Sequence, residues 1–158
     1  PDTIVASTPA GGLSFTWTIP DAVATTVRVR ISDASDISVY DTSDADFTIR
    51  ARFDITSPDG GEVWIVGSSH NITWDTIGSV TTVRIDYSTD GGSSFSYNIT
   101  TATSNTGSYP WTVPDSISSQ VRVKVSDYNN SDAFDTSSSN FKIRGDIVVT
   151  SPNGGEAW

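Results

Sequence analysis

Displaced by 94 residues, the chain matches itself without a gap. Trp17, Pro20 and Asp21 fall on Trp111, Pro114 and Asp115. Val27-Arg28-Val29-Arg30-Ile31-Ser32-Asp33 falls on Val121-Arg122-Val123-Lys124-Val125-Ser126-Asp127, and Asp41-Thr42-Ser43 on Asp135-Thr136-Ser137. Thr56 to Trp64 falls on Thr150 to Trp158. Between residues 1–64 and 95–158, 23 of 64 positions are identical, all of them from Ser14 onward. Chance supplies only a handful, so the chain is built of repeated units, each stacking on its neighbours. A period of 94 in 158 residues leaves one whole unit, residues 53–145. Residues 1–52 read as the back part of a preceding unit and 146–158 as the opening of a following one. The two fragments together lack the counterpart of residues 65–94, about three strands, so they cannot close a core between molecules. With no initiator Met and no signal peptide, the chain is expected to be a window on a longer tandem array.

Within 53–145, short alternating runs are separated by Gly, Ser, Asn, Asp and Pro clusters, which is strand and turn chemistry. Phe53–Ser57, His70–Trp74, Thr81–Ser88, Phe95–Ile99, Tyr109–Val113, Gln120–Asp127 and Asn140–Arg144 read as strands. Period-2 alternation turns Val83, Ile85 and Tyr87 inward, and likewise Val121, Val123 and Val125. Arg84, Asp86, Arg122 and Lys124 then face outward. Trp74, Tyr87, Trp111 and Phe141, joined by Trp64, are the expected core aromatics. About seven strands without helical periodicity predict an all-β fold of tandem immunoglobulin-like antiparallel β-sandwich repeats, with a closed barrel as the structural alternative. Only one to three residues separate the units, which predicts a stiff rod.

Composition removes several functions. Without Cys there is no disulfide scaffold, thiolate metal site or thiol catalysis. A net charge of −10 argues against a nucleic-acid partner, which needs a basic face. No apolar run reaches the roughly 20 residues of a membrane span, so no membrane insertion is expected in this segment. The single His, His70, has no Ser or Asp set at paired positions, which leaves no nucleophile machinery. The expected protein is not an enzyme and needs no cofactor. Ser and Thr together make 46 residues, a hydroxyl-rich acidic surface of the kind extracellular β proteins carry.

Ile55-Thr56-Ser57-Pro58-Asp59-Gly60-Gly61-Glu62-Val63-Trp64, then Gly67-Ser68, Ile72-Thr73-Trp74 and Tyr109-Pro110-Trp111-Thr112-Val113-Pro114 resemble the Ser/Thr-rich Kre9/Knh1-like domain. That domain occurs in fungal wall proteins and as tandem repeats in large secreted bacterial and archaeal surface proteins. The resemblance spans the whole unit and both fragments. It implies extracellular or cell-surface placement and a structural or adhesive role, and it brings no catalytic residues.

Four groups of residues invite a functional reading. Ser88-Thr89-Asp90-Gly91-Gly92-Ser93-Ser94-Phe95 looks like the Asp box of sialidase-type propellers, a hairpin braced by its Asp and not a catalytic group. Asp127, Asn129, Asn130, Asp132 and Asp135 crowd one loop, as Asp33, Asp36, Asp41, Asp44 and Asp46 do 94 residues earlier. Calcium takes six to eight such oxygens, so Asp127, Asp132 and Asp135 are calcium candidates. Against that, only Asp33/Asp127 and Asp41/Asp135 persist between the units, and turn-forming Asx residues explain the rest. Asn71, Asn98 and Asn129 head Asn-x-Ser/Thr sequons, candidates for glycosylation. Finally, every basic residue but Arg52 falls on a predicted strand: Arg28, Arg30, Arg50, Arg84, Arg122, Lys124, Lys142 and Arg144. On one sheet they form a basic stripe, satisfied by cross-strand partners such as Asp86 or offered, through Arg84, Arg122 and Lys124, to acidic loops of another chain. A Lys–Asn isopeptide at Lys124 is rejected because Lys124 points outward and is Arg30 in the other unit.

The expectation is a non-catalytic segment of an extracellular tandem-repeat protein forming a surface fibre, stalk or filament. Its partners are neighbouring repeats and other copies of itself. The competing readings are an adhesin or carbohydrate-binding module and a spacer array on a secreted enzyme. Tyr128 and Tyr40 or Phe134, the aromatics assigned to loops, make no flat sugar platform, which favours the structural reading.

Overall fold

A computed structural model describes residues 2–156. Apart from a three-residue 3-10 turn at Ala10–Gly12, its regular elements are strands. The first four are short: β1 (Ala24–Val27), β2 (Arg30–Ser32), β3 (Tyr40–Thr42) and β4 (Phe47–Ile49). Then come β5 (Arg52–Ser57), β6 (Val63–Ile65), β7 (Ser69–Ile77), β8 (Thr82–Ser88) and β9 (Tyr97–Ser104). The chain closes with β10 (Ser108–Thr112), β11 (Ser118–Asp127), β12 (Phe134–Thr136) and β13 (Phe141–Arg144).

From β5 onward the strands form two sheets. One is ordered β10-β7-β5. The other is ordered β6-β13-β11-β8-β9, with β12 also paired to β11. The pairs are antiparallel except β13 with β6. Alternation explains what fills the space between them. Phe53, Ile55, Ile72, Trp74 and Trp111 come from the smaller sheet, and Val83, Ile85, Tyr87, Val121, Val123, Val125, Phe141 and Ile143 from the larger. All are 6% exposed or less and belong to one core cluster. Trp64 packs on Phe141 at 5.0 Å and edge-on to Trp111 at 5.9 Å, so the five expected core aromatics are buried together. This is an all-β, sandwich-like architecture.

Two polar pins hold the closing strands. Between its partners β12 and β13, β11 meets no strand at Val123, and Ser137 fills the gap. The Val123 N–H donates to Ser137 Oγ at 3.0 Å and the Val123 carbonyl accepts from Ser137 N–H at 2.9 Å. Ser137 Oγ donates in turn to the Pro58 carbonyl at 2.7 Å. Asp135 Oδ2 accepts from the Ile55 N–H at 2.7 Å and so ties β12 to β5, across the edge between the sheets. The opening turn is equally determined. Glu62 accepts from the Asp59 and Gly60 N–H groups at 2.9 and 2.8 Å. Gly60 has φ +133°, and a Cβ there would lie 2.4 Å from that of Ser139, so only glycine fits.

Several pairings recur at the sequence period. Arg30↔Thr42 and Ser32↔Tyr40 become Lys124↔Thr136 and Ser126↔Phe134. Ala24↔Ile49 and Val27↔Phe47 become Ser118↔Ile143 and Val121↔Phe141. Ser43 Oγ takes the Val29 N–H as Ser137 Oγ takes that of Val123. Glu156 braces the Asn153 and Gly154 N–H groups as Glu62 braces its own turn.

The structure departs from the sequence-based expectation in detail. Residues 52–145 hold nine strands, because β6 and β12, three residues each, are too short to show alternation. The return strand expected at Phe95–Ile99 is β9, which starts later and runs to Ser104. Its register against β8 shifts twice, and such bulges blur a period-2 pattern. Tyr40 and Phe134 lie on β3 and β12, not in loops. Arg28 and Arg50 fall just outside strands, whereas Arg52 opens β5.

Candidate interaction surface

Five basic residues, Arg84 on β8, Arg122 and Lys124 on β11, and Lys142 and Arg144 on β13, share the larger sheet. The antiparallel register sets Arg84 opposite Ser126, Lys124 opposite Asp86 and Arg122 opposite Ser88. Each of the three central cations has a partner within the fold. Arg84 donates to both Asp86 carboxylate oxygens, at 2.7 and 3.0 Å. That hydrogen-bonded anion holds the guanidinium pKa above its ordinary value. Arg122 donates to Asn140 Oδ1 at 2.7 Å. The Lys124 ammonium sits 4.2 Å from the Phe134 ring centre and 5.9 Å from that of Phe95, where ring quadrupoles attract it. Arg30 stands over Tyr40 in the same way at 5.3 Å.

Asp86 is the unexpected member of this face. The pleat turns it outward, yet the residue is only 6% exposed. Arg84 covers it from one side and Asn98 Nδ2 donates to it at 2.8 Å from β9. The outer face therefore has its own small polar layer: Arg84, Asp86 and Asn98 on three consecutive sites.

Of the calcium candidates, Asp127 braces a turn and Asp135 ties two strands, while Asp132 takes part through its backbone N–H. Asp127, 6% exposed, accepts from the Asn129 N–H at 2.9 Å. The Asp132 N–H donates to Asn130 Oδ1 at 3.2 Å, and Asp135 holds Ile55 as described. Among the described residues, no group of three or more His, Asp or Glu is arranged to hold a metal. The sequons differ in setting. Asn71 is exposed on β7 and Asn129 is exposed after β11. The Asn98 amide nitrogen, the atom a glycan would use, is already donating to Asp86.

Asp90 braces its hairpin with four contacts. Its carboxylate accepts from Ser88 Oγ at 2.5 Å and from the Ser94 hydroxyl and N–H at 2.6 and 3.0 Å, and its carbonyl accepts from Ser93 Oγ at 3.1 Å. The hydroxyls of Ser88 and Ser94, with the Ser94 N–H, hold its pKa well below the usual carboxylate range. His70 stacks on Trp64 at 4.4 Å and shares a hydrogen bond with Ser68.

A groove of about 790 Å³ lies among residues 2–49, lined by Phe15, Trp17, Val27 and Ile49. The counterparts of the last three, 94 residues on, are Trp111, Val121 and Ile143, all buried against β5, β7 and β8. Sequence reasoning missed the roles of Ser137, Asp135 and Asp86. For the first two a signal existed, since both are identical to residues 94 positions earlier. For Asp86, alternation gives the outward direction but not the burial that Arg84 and Asn98 impose on it.

Neither a protein-family model nor a curated protein matches the chain. No helix among the described residues is long and apolar enough to cross a membrane.

Proposed function

We propose that this chain is a non-catalytic segment of a tandem array of immunoglobulin-like units, placed outside the cell as a surface fibre, stalk or filament. The observation that carries the reading is the shared period: identical residues and identical hydrogen bonds both return after 94 positions. The strand order supports the immunoglobulin-like assignment. First, second and fifth main strands (β5, β7, β10) share one sheet, and β9, β8, β11 and β13 share the other, an A-B-E against C′-C-F-G arrangement. Units joined without a spacer, each tied internally by buried polar bonds, suit a stalk. The resemblance to Kre9/Knh1-like surface domains points the same way. The structural reading is favoured over sugar binding by the engagement of the outer aromatics within the fold: Tyr97 stacks on Tyr87 and Phe134 lies against Lys124.

The test is immunolabelling of the source organism with an antibody raised against this chain. Labelling of intact cells, in extended structures beyond the envelope, is the expected result. Signal that appears only after permeabilisation overturns the reading.

A further inference from the structure

The contact between residues 2–51 and the sheets that follow is made of few groups. The Asp21 carboxylate accepts from the Ser79 N–H at 2.7 Å and the Ser79 hydroxyl at 2.6 Å. Arg50 donates to the Asp132 carbonyl at 3.1 Å. Between them, Val23 packs against the core and closes on Gly78. Gly78 has φ +103°, and a Cβ there would stand 3.2 Å from Ala51 and 3.3 Å from Val23. The β7–β8 turn, Gly78-Ser79, thus seats in a socket made by Asp21, Val23 and Ala51, while Arg50 holds the β11–β12 loop beside it. A bare backbone lets it approach, and a carboxylate caps its N–H.

The same socket is present again. Asp115, Ile117, Arg144 and Gly145 lie 94 residues on, and the Ile117 side chain stands 3.6 Å from where a Gly145 Cβ would be. Ile117 is 65% exposed, and Asp115 and Arg144 are exposed as well. A second observation points at the same end. Ile147 and Val149 are 93% and 61% exposed, whereas their counterparts Phe53 and Ile55 are 3% exposed on β5. Ile147, Val148 and Val149 are all exposed and in no strand, at the positions that β5 occupies 94 residues earlier, beside a glutamate-braced turn and without a β7 neighbour.

We infer that Asp115, Ile117 and Arg144 form a docking socket for one more unit of this kind, begun by residues 146–156: Asp115 and Ile117 for its β7–β8 turn, Arg144 for its β11–β12 loop. The inference rests on the tandem-array reading and adds the residues that set the angle between units. Charge, shape and chain direction agree: a carboxylate for a turn N–H and hydroxyl, an apolar side chain for a glycine, and a guanidinium for a loop carbonyl.

The test extends the full chain by a copy of residues 65–145 after Trp158, because 146–158 already occupies the positions of 52–64. With no native Cys, spin labels can be placed at cysteines replacing Thr101 and its counterpart in the added unit. Pulsed electron–electron resonance is expected to give one narrow distance peak. Asp115→Ala with Ile117→Asp is expected to lose that single peak, while amide spectra show both units still folded. A broad distribution in the unsubstituted protein, with both units folded, overturns the socket and leaves the array reading standing. So does a narrow peak that ignores the substitutions. An added unit without strand signals overturns the array reading itself, and the socket with it. In the parent chain, Asp21→Ala supplies a second readout: exchange of the Ser79 amide must speed up, and unchanged exchange counts against the socket.

Discussion

Replacing Ser137 by alanine removes one oxygen from a place that water does not reach. Ser137 and Val123 are both 0% exposed, and Pro58 is fully buried. The hydroxyl serves two backbone groups at once, accepting from Val123 N–H and donating to the Pro58 carbonyl. Without it both are stranded in the interior. A buried donor or acceptor left unsatisfied costs about 1–3 kcal/mol, so the pair costs about 2–6 kcal/mol. The methyl of alanine returns little, because the serine Cβ is already packed. Ser138→Ala, one residue on and exposed, is the control, and surface changes of that kind stay within about 0.5 kcal/mol. Urea unfolding of the full chain, followed by tryptophan fluorescence, reads the difference. With a slope of roughly 2 kcal/mol per molar, a cost of about 4 kcal/mol should lower the Ser137→Ala midpoint by about 2 M with the slope unchanged. Two variants that unfold together, within about 0.5 kcal/mol of the parent, would refute the argument that the hydroxyl replaces a missing strand.

Trp111→Ala should destabilise the chain by about 3–5 kcal/mol in the same assay, because the ring is 6% exposed against Trp64 and Tyr87; a loss under about 1 kcal/mol would place it outside the core. Asp90 has a depressed folded-state pKa, so its bracing is complete above the ordinary aspartate value of about 3.9 and is lost as pH falls below that, through the folded-state value. The melting temperature of the parent should therefore exceed that of Asp90→Asn by a constant amount from pH 5 to 7, a gap that narrows only in strong acid; a gap unchanged at low pH would contradict this. Should chains associate laterally through the basic face and acidic loops, raising salt to about 1 M, where screening reaches within about 3 Å, should lower light scattering, and association that survives salt is not electrostatic. Arg84→Glu is no clean probe of that contact, since it sets a second carboxylate against the nearly buried Asp86.

Much of the fold was legible because alternation is strong where burial is one-sided. Val121-Arg122-Val123-Lys124-Val125 on β11 and Val83 to Tyr87 on β8 announce both their strands and their inner faces. What alternation cannot carry is partnership on the outer face. Asp86 follows the outward pattern correctly and is buried all the same, because Arg84 and Asn98, from its own strand and the next, close over it. β6 and β12 are three residues long and exist through their neighbours: β6 by lying parallel to β13, β12 by bridging β11 to β5. The repeat marked Asp135 and Ser137 as special, since Asp41 and Ser43 match them. Identity alone does not distinguish a calcium ligand from a carboxylate that holds Ile55, or an exposed serine from one that completes a ladder. Only the register of β11 against β12 and β13 separates these. The basic stripe was legible as a shared sheet, while its internal partners Asn140 and Phe95 lie in loops whose path the sequence does not set, and Phe134 opens the three-residue β12.

The central claim is that residues 53–145 are a self-sufficient unit of the array, and it is tested most directly by expressing that segment alone. The account predicts a strand-type far-UV spectrum, a dispersed amide spectrum with Ile55 and Val123 protected from exchange, and a single cooperative unfolding transition. A random-coil spectrum, or one that becomes ordered only when residues 1–52 are restored, would contradict both the boundary and the autonomy of the unit.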